Sequence, residues 1–134
     1  MKLTENEAQK IIDTIWNELK ARNKQAIIAV ADAHGELLAF LRMEKVKLSS
    51  IAVAQNKAYT SARTKRPTFE VGKNSTDPIT GYDIAFYGDP RIVGFGGGVP
   101  IWHDDDVIGA VGVSGLSQEE DDELAKIGAK ILDL

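Results

Sequence analysis

Hydrophobic residues recur every three or four positions over residues 4–22, which is the spacing expected for one face of an amphipathic α-helix. A Thr-x-x-Glu capping box at 4–7 marks its beginning. Two short, largely apolar runs follow at 26–32 and 36–42, and the connection between them ends in Gly35. A glycine there can take the positive φ of a tight turn, so the pattern predicts a helix followed by a β-hairpin.

The second half of the chain repeats both patterns. Helical spacing returns over residues 48–66 and stops at Pro67, and the Gly- and Pro-punctuated residues 67–90 predict a long loop with a short helix. The remaining apolar segments predict strands at 91–95, 99–103 and 107–114 and a closing helix after a second capping box at 117–120. Because tight turns join the strands, we predict an α+β fold with a central antiparallel sheet of about five strands flanked by helices.

The composition is that of an ordinary globular domain. With 134 residues, 43% of them hydrophobic and 27% charged, the chain predicts one domain over residues 1–134. It contains no cysteine, which excludes disulfides, cysteine-bound metal centres and thiol catalysis. No stretch approaches about 18 apolar residues and the first ten residues lack the apolar segment of a signal peptide, so we expect a cytoplasmic protein without a membrane span.

Charge is unevenly distributed along the chain. Residues 42–73 carry eight basic and two acidic side chains, whereas residues 103–134 carry nine acidic and two basic ones. Two solvated faces of opposite sign are the preferred interpretation, and a local anion site or a charge-guided contact between subunits is the alternative. The net charge of −4 and the sequence pI near 5.2 argue against a nucleic-acid partner.

Residues 94–98 form a glycine-rich segment. A dinucleotide-binding loop would lead into a helix, but Pro100 and a strand pattern follow here, which argues against such a site. Two interpretations stay open: a bulged connection, or bare backbone at Gly97 and Gly98 that approaches a ligand. Ser114 lies outside any G-x-S-x-G motif, so a serine hydrolase is disfavoured.

Neither of the two histidines stands in a metal-binding motif. His34 falls in the predicted hairpin turn, and His103 ends a predicted strand beside three aspartates. We interpret both as solvated side chains, with His103 retained as a weak candidate for axial ligation or proton transfer. The acidic run at 119–123 occupies the first turns of a helix, where negative charge complements the helix dipole.

The predicted helix at 48–66 presents two ridges. One is a narrow stripe, mostly of small residues, that allows close approach to a sheet: Ile51, Ala54, Ala58 and Ala62. The second ridge, about 120° round the helix, carries Lys57 and Thr60 between Val53 and Thr64. A lysine with threonines on a half-covered face fits either an anionic ligand or a neighbouring subunit, and the subunit is the preferred interpretation.

Four segments match a set of motifs in order along the chain: AIIAVADAHGELLAFLRM at 26–43, AQNKAYTSA at 54–62, GGVPI at 97–101 and IGAVGVSG at 108–115. They resemble the hairpin, the A-x-x-K-A-x-T-A helix, the G-G-x-P-[IV] strand and the closing strand of the GlcG/HbpS-like family. The same family forms the C-terminal domain of PduO-type cobalamin adenosyltransferases. Since the resemblance covers residues 4–132, it indicates a single GlcG/HbpS-like domain.

The resemblance carries several implications. It implies a profilin- or PAS-like three-layer arrangement and a homo-oligomer, either a dimer or a larger ring. It also implies haem binding in some members and an association with glycolate, glycerol or propanediol metabolism in others. Haem-binding relatives can use a histidine in the first helix, but residues 4–22 contain none, so haem here would need His34, His103 or an oxygen ligand.

Three functional hypotheses follow. The preferred one is a small-molecule-binding accessory protein, with a pocket between the lysine-bearing helix and the glycine-rich strand for a tetrapyrrole (haem or corrinoid) or an organic acid. Charge, backbone amides and rim hydrogen bonds would hold this ligand: Lys57, Thr60, Asp32, Gly97, Gly98 and Ser114. The second is a structural oligomer without a ligand. The third, least favoured because no nucleophile–base pair is recognisable, is an enzyme that uses Lys57 with Asp32 as its partner.

Overall fold

The computed structural model describes residues 1–132. Its helices and strands follow in the order α1 (Glu5–Ala21), β1 (Ile27–Asp32), β2 (Leu37–Arg42), α2 (Ser49–Thr64), α3 (Thr68–Ser75), β3 (Gly98–His103), β4 (Asp106–Ser114) and α4 (Gln118–Ala129). A short 3-10 helix, Ile84–Tyr87, lies in the long connection between α3 and β3. None of the helices in this part of the chain is long and apolar enough to span a bilayer.

The strands form one antiparallel sheet in the order β2–β1–β4–β3. β1 pairs with β2 across the tight turn at Gly35, whose φ of 89° is the positive value that favours glycine. β4 pairs with β1 on one side and with β3 on the other. The predicted α+β class, with an antiparallel sheet between helices, is therefore confirmed.

Within residues 1–132 the sheet has four strands rather than about five, because the segment 91–95 does not join it. Two of its backbone groups bind the Thr60 hydroxyl on α2 instead. The Val93 amide donates to Oγ1 (3.0 Å), and Oγ1 donates to the Arg91 carbonyl (3.1 Å). The buried Thr60 hydroxyl thus satisfies backbone groups that would otherwise pair with a neighbouring strand. The prediction of a strand at 91–95 is wrong for this reason.

Helices cover both faces of the sheet, which is the predicted three-layer arrangement. α1 and α4 pack on one face against large apolar side chains: Ile28, Val30, Val99, Ile101, Val111 and Val113. α2 packs on the other face, where β1 presents Ile27, Ala29 and Ala31 to Ala54 and Ala58. Because the contact is built mainly from small residues, α2 lies close to the backbone of the sheet, as the stripe of small residues predicts.

Charged side chains join α4 to α1. The Ser117 hydroxyl caps α4 by accepting from the Glu120 amide (3.2 Å), as the second capping box predicts. The Glu120 carboxylate, however, accepts from Lys24 (2.6 Å) and Arg22 (3.2 Å). These hydrogen bonds, the one from Lys24 foremost, lower the pKa of Glu120. Glu120 is the acid of the second capping box, but its carboxylate links α4 to the end of α1 and does not return to the amide of Ser117.

Replacing Thr4 with alanine is expected to reduce the free energy of unfolding by about 1 kcal/mol. The Thr4 hydroxyl accepts from the Glu7 amide (3.2 Å) and the Glu7 carboxylate accepts from the Thr4 amide (2.9 Å), so alanine breaks the predicted and observed capping box. Urea unfolding at pH 7 measures the loss. Thr14→Ala is the control, because its hydroxyl bonds back to the Lys10 carbonyl within α1 (2.9 Å) and alanine is the better helix former. Equal losses would contradict the capping role.

Candidate functional site

A lysine and an aspartate form a buried ion pair between α2, β4 and α4. The side chains of Lys57 and Asp121 are 2% and 3% exposed, and Lys57 Nζ lies 3.2 Å from Asp121 Oδ2. Nζ also donates to the Val113 carbonyl (2.8 Å), and Asp121 Oδ1 accepts from the Leu116 amide (3.1 Å). The pair therefore connects the helix on one face of the sheet with the helix on the other.

Burial dominates the electrostatics of this pair. Removal from water lowers the pKa of Lys57 and raises the pKa of Asp121, and the attraction between the two side chains opposes both shifts. A lysine ammonium has three N–H donors, of which Val113 and Asp121 engage two. Among the described residues no acceptor is found for the third N–H, and Lys57 lines a neighbouring cavity.

A cavity of about 320 Å³ adjoins the ion pair. Six of its lining residues carry charged or hydroxyl side chains: Lys47, Ser49, Ser50, Lys57, Ser114 and Asp121. Ser114 is 5% exposed and sits at the end of β4. The structure thus brings two of the sequence-predicted site residues, Lys57 and Ser114, to one cavity.

A larger cavity of about 770 Å³ lies between α3, the residues before β3 and the first turns of α4. Its apolar lining comes from Phe69, Ile84 and Phe95, and its charged lining from two acids and two lysines: Glu119, Asp122, Lys73 and Lys126. Within the charged set, Lys126 Nζ pairs with Asp122 Oδ2 at 2.7 Å. This volume lies within the range of about 300–1,000 Å³ that is typical of small-molecule sites.

The two cavities adjoin at Phe95 and Gln118, which line both of them. Gln118 Oε1 accepts from the Gly96 amide (2.8 Å) and so fastens the segment before β3 to the first residue of α4. Phe95 is 52% exposed. The two cavities are therefore neighbours, one with an aromatic lining and the other with hydroxyl and charged groups.

Gly97 and Gly98 allow close packing around Lys57. A Cβ on Gly97 would lie 2.5 Å from the Val113 carbonyl oxygen and 2.7 Å from Lys57 Nζ, and one on Gly98 would lie 2.5 Å from the Lys57 carbonyl oxygen. The Gly98 amide donates to Thr68 Oγ1 (2.9 Å). The expectation that this amide serves a ligand is therefore corrected: it is used inside the protein, and the missing side chains make room for the lysine.

Asp32 lies far from Lys57. Its Oδ1 accepts from two backbone amides of the β1–β2 turn, at 2.8 and 3.0 Å, and so closes that turn. Asp32 pairs with Gly109, which is four residues along β4 from Val113, or about 13 Å at the rise of a strand. The expected pairing of Lys57 with Asp32 is thus corrected, since Asp121 occupies that role.

Thr60, His34 and His103 line neither cavity. Thr60 is fully buried, and its hydroxyl holds the connection before β3. His34 is exposed in the hairpin turn, where its carbonyl accepts from Arg63 Nε (2.9 Å). His103 is one-third exposed, with Nε2 3.6 Å from Asp104 Oδ2. The positions of the two histidines therefore give no support to axial ligation in these cavities.

Sequence reasoning missed Asp121, although a signal for it exists. Asp121, Leu124, Ala125 and Gly128 follow the i, i+3, i+4, i+7 spacing of one helix face, and all four are buried in α4. The run of acids that contains Asp121 is explained by the helix dipole only for its exposed members. Phe95 carries no comparable signal, because the cavities form where separate parts of the chain meet.

The fold and these cavities define the chain as an α+β domain with a site of small-molecule size. It belongs to the HbpS-like family: the family model described as haem-degrading protein HbpS-like matches residues 3–130. The chain is 36% identical to the protein GlcG of Escherichia coli K12 over 112 residues, covering 84% of this chain and 81% of GlcG. The family resemblance found in the sequence motifs is therefore confirmed.

Two further similarities concern tetrapyrrole proteins. The corrinoid adenosyltransferase PduO of Salmonella typhimurium is 32% identical over 100 residues, which are 75% of this chain but only 30% of PduO. The crystal structure of a PduOC–haem complex superimposes with a TM-score of 0.91 at 25% identity, covering 99% of this chain and 96% of that one. One protein of closely similar structure has thus been solved with haem.

The larger cavity fits some parts of a haem group and not others. Its aromatic and aliphatic side chains suit the faces of a flat ring, and its lysines suit carboxylates. The histidine, cysteine, methionine and tyrosine side chains that usually bind haem iron are absent from its lining, which offers the iron only weak oxygen donors such as Ser75, Thr76 and Glu119. The lining therefore matches the organic part of the group and not the iron.

Proposed function

We propose that this protein is a non-catalytic binding protein for a flat small molecule that bears carboxylates, and that a tetrapyrrole is the ligand class to test first. The observation that carries the proposal is the junction of the two cavities at Phe95 and Gln118. The larger cavity offers apolar surface to a ring, and the smaller one offers polar groups to its substituents. A few polar groups placed in an apolar pocket are the usual means by which proteins orient such ligands.

Lys57 supports the smaller cavity's part in this proposal. Its unused N–H donor and the hydroxyls of Ser49, Ser50 and Ser114 form a cluster suited to a carboxylate. The same groups would accept a free organic acid, which is the other ligand class that the sequence indicates. An enzyme is the less favoured alternative, because Lys57 is buried and already engaged by two acceptors.

The similarities to known proteins support the tetrapyrrole class. They include a family described by haem degradation, a structure with bound haem and a corrinoid adenosyltransferase. We extend the proposal to a homo-oligomer and to an association with glycolate, glycerol or propanediol metabolism, which the family resemblance implies. Exposed apolar side chains at Leu48 and Ile79, 73% and 90% accessible, support a contact with a further protein surface.

An absorbance titration with haemin, and with cobalamin in parallel, tests the proposal. We expect saturation near one tetrapyrrole per subunit, with co-elution of ligand and protein on size exclusion. Phe95→Ala is expected to weaken binding at least about tenfold, because it removes the aromatic side chain shared by the two cavities. Phe86→Ala is the matched control, since Phe86 is 79% exposed and lines neither cavity.

Two outcomes would contradict the proposal. Failure of both tetrapyrroles to bind would remove this ligand class, and a screen of organic acids with the same Phe95 and Phe86 variants would then decide whether the cavities bind anything. Equal losses for Phe95→Ala and Phe86→Ala would place the ligand outside these cavities.

A further inference from the structure

The larger cavity contains side chains that suit a porphyrin ring, but it lacks the histidine, cysteine, methionine and tyrosine side chains that usually bind haem iron. Phe69, Ile84 and Phe95 contribute apolar surface, and Lys73 and Lys126 contribute positive charge. The remaining charged groups are Glu119 and Asp122, and the latter is committed to Lys126 at 2.7 Å. Since Lys126 is engaged by Asp122, Lys73 is the lysine left to pair with a ligand carboxylate beside the apolar surface.

The side chains that commonly bind haem iron lie elsewhere in the described residues. His34 is exposed in the β1–β2 turn, and His103 stands at the end of β3. Tyr82 and Tyr87 line a neighbouring cavity with Arg66, which shares only Ser75 with the larger one, and Tyr59 is buried beneath the Arg91 guanidinium at 3.6 Å. None of these side chains is among the lining residues of the larger cavity.

We propose that the cavity binds a tetrapyrrole through its ring face and its carboxylates, without an axial side chain from this chain, so that the central iron contributes nothing to affinity. The inference rests on the proposed function and narrows it. It departs from the pattern of relatives that ligate haem through a histidine of the first helix, since α1 contains none. The protein would then accept metal-free and metal-bearing porphyrins alike.

The test compares haemin with metal-free protoporphyrin IX on the purified full chain. Binding is followed by quenching of tryptophan fluorescence, which serves both ligands. We expect dissociation constants that agree within about threefold, a difference of less than about 0.7 kcal/mol in binding free energy. Phe95→Ala should weaken both ligands equally, and the double variant His34→Ala/His103→Ala should change neither. The dimethyl ester of protoporphyrin, which lacks the carboxylates, should bind more weakly than the free acid.

The outcomes distinguish this inference from the proposed function. Haemin binding more than about tenfold tighter than protoporphyrin, with the advantage lost in the histidine double variant, would overturn the inference and leave the tetrapyrrole-binding function intact. An equally strong preference for haemin that survives in the double variant would overturn it as well, because another group of the chain would then ligate the iron. Failure of both ligands to bind would overturn the function and the inference together.

Discussion

Lys57→Ala is expected to reduce the free energy of unfolding by about 3–5 kcal/mol, measured by urea unfolding at pH 7. The Asp121 side chain is 3% exposed, and Lys57 is the cation beside it, so alanine leaves a carboxylate buried without its partner. The Val113 carbonyl loses a donor in the same step. A carboxylate in this position has either to ionise without compensation or to take up a proton, and both options weaken the folded state.

Two control variants separate charge from packing. Lys57→Met retains most of the apolar stem, so its loss reports the unpaired carboxylate. The double variant Lys57→Met/Asp121→Asn removes both charges while keeping an acceptor for the Leu116 amide, and we expect it to recover most of the stability. Lys126→Ala breaks the partly exposed pair with Asp122, for which we expect a loss below about 1 kcal/mol. A loss for Lys57→Ala no larger than that for Lys126→Ala would contradict a buried pair.

The buried pair also affects how functional tests are designed. A lysine that holds α2 to α4 through Asp121 cannot be removed without disturbing the fold, so loss of binding or activity in Lys57→Ala would not identify its role. Phe95 is a better probe because it is 52% exposed and lines both cavities. Substituting it changes the site while leaving the interior intact.

The sequence predicted most helices and strands correctly, because the signals for them come from residues close together in the chain. The capping box at Thr4, the glycine turn at Gly35 and the small residues of α2 each depend on neighbours in the chain, and all three are present in the structure. The prediction of a strand at 91–95 failed because the group that binds its backbone, the Thr60 hydroxyl, is distant in the sequence. Only the folded chain brings the Thr60 hydroxyl to the backbone of that segment.

The candidate site was predicted in part for the same physical reason. Lys57 and Ser114 carry chemistry that is visible in the sequence, and they share a cavity in the structure. The enzyme hypothesis, the least favoured of the three, gives Asp32 as the partner of the lysine. In the structure the sheet register places Asp32 opposite Gly109, and the first turn of α4 brings Asp121 to the lysine. Pairings across layers depend on register and packing, which a single sequence does not contain.

Gly112→Ala is expected to reduce the free energy of unfolding by about 3 kcal/mol, the upper end of the usual effect of overpacking. Gly112 lies on β4 beneath α2, and a Cβ there would lie 2.2 Å from the Ala54 carbonyl oxygen and 2.8 Å from the Ala58 amide. These are backbone atoms of a helix, so relief requires α2 to move as a unit. Such a movement would also separate Lys57 from the Val113 carbonyl, and urea unfolding together with hydrogen exchange of the β4 amides measures both effects.

Gly88→Ala is the matched control, because glycine is favoured there by the backbone conformation and not by a lack of space. Gly88 has a φ of 72°, but a Cβ there would meet no atom within 4 Å. Alanine at that position is strained without being crowded, and we expect a loss of about 1 kcal/mol with no change in the exchange of β4. A similar loss for the two variants would mean that α2 tolerates displacement. The close contact between Gly112 and α2, which positions Lys57 beside the smaller cavity, would then not be required for the fold.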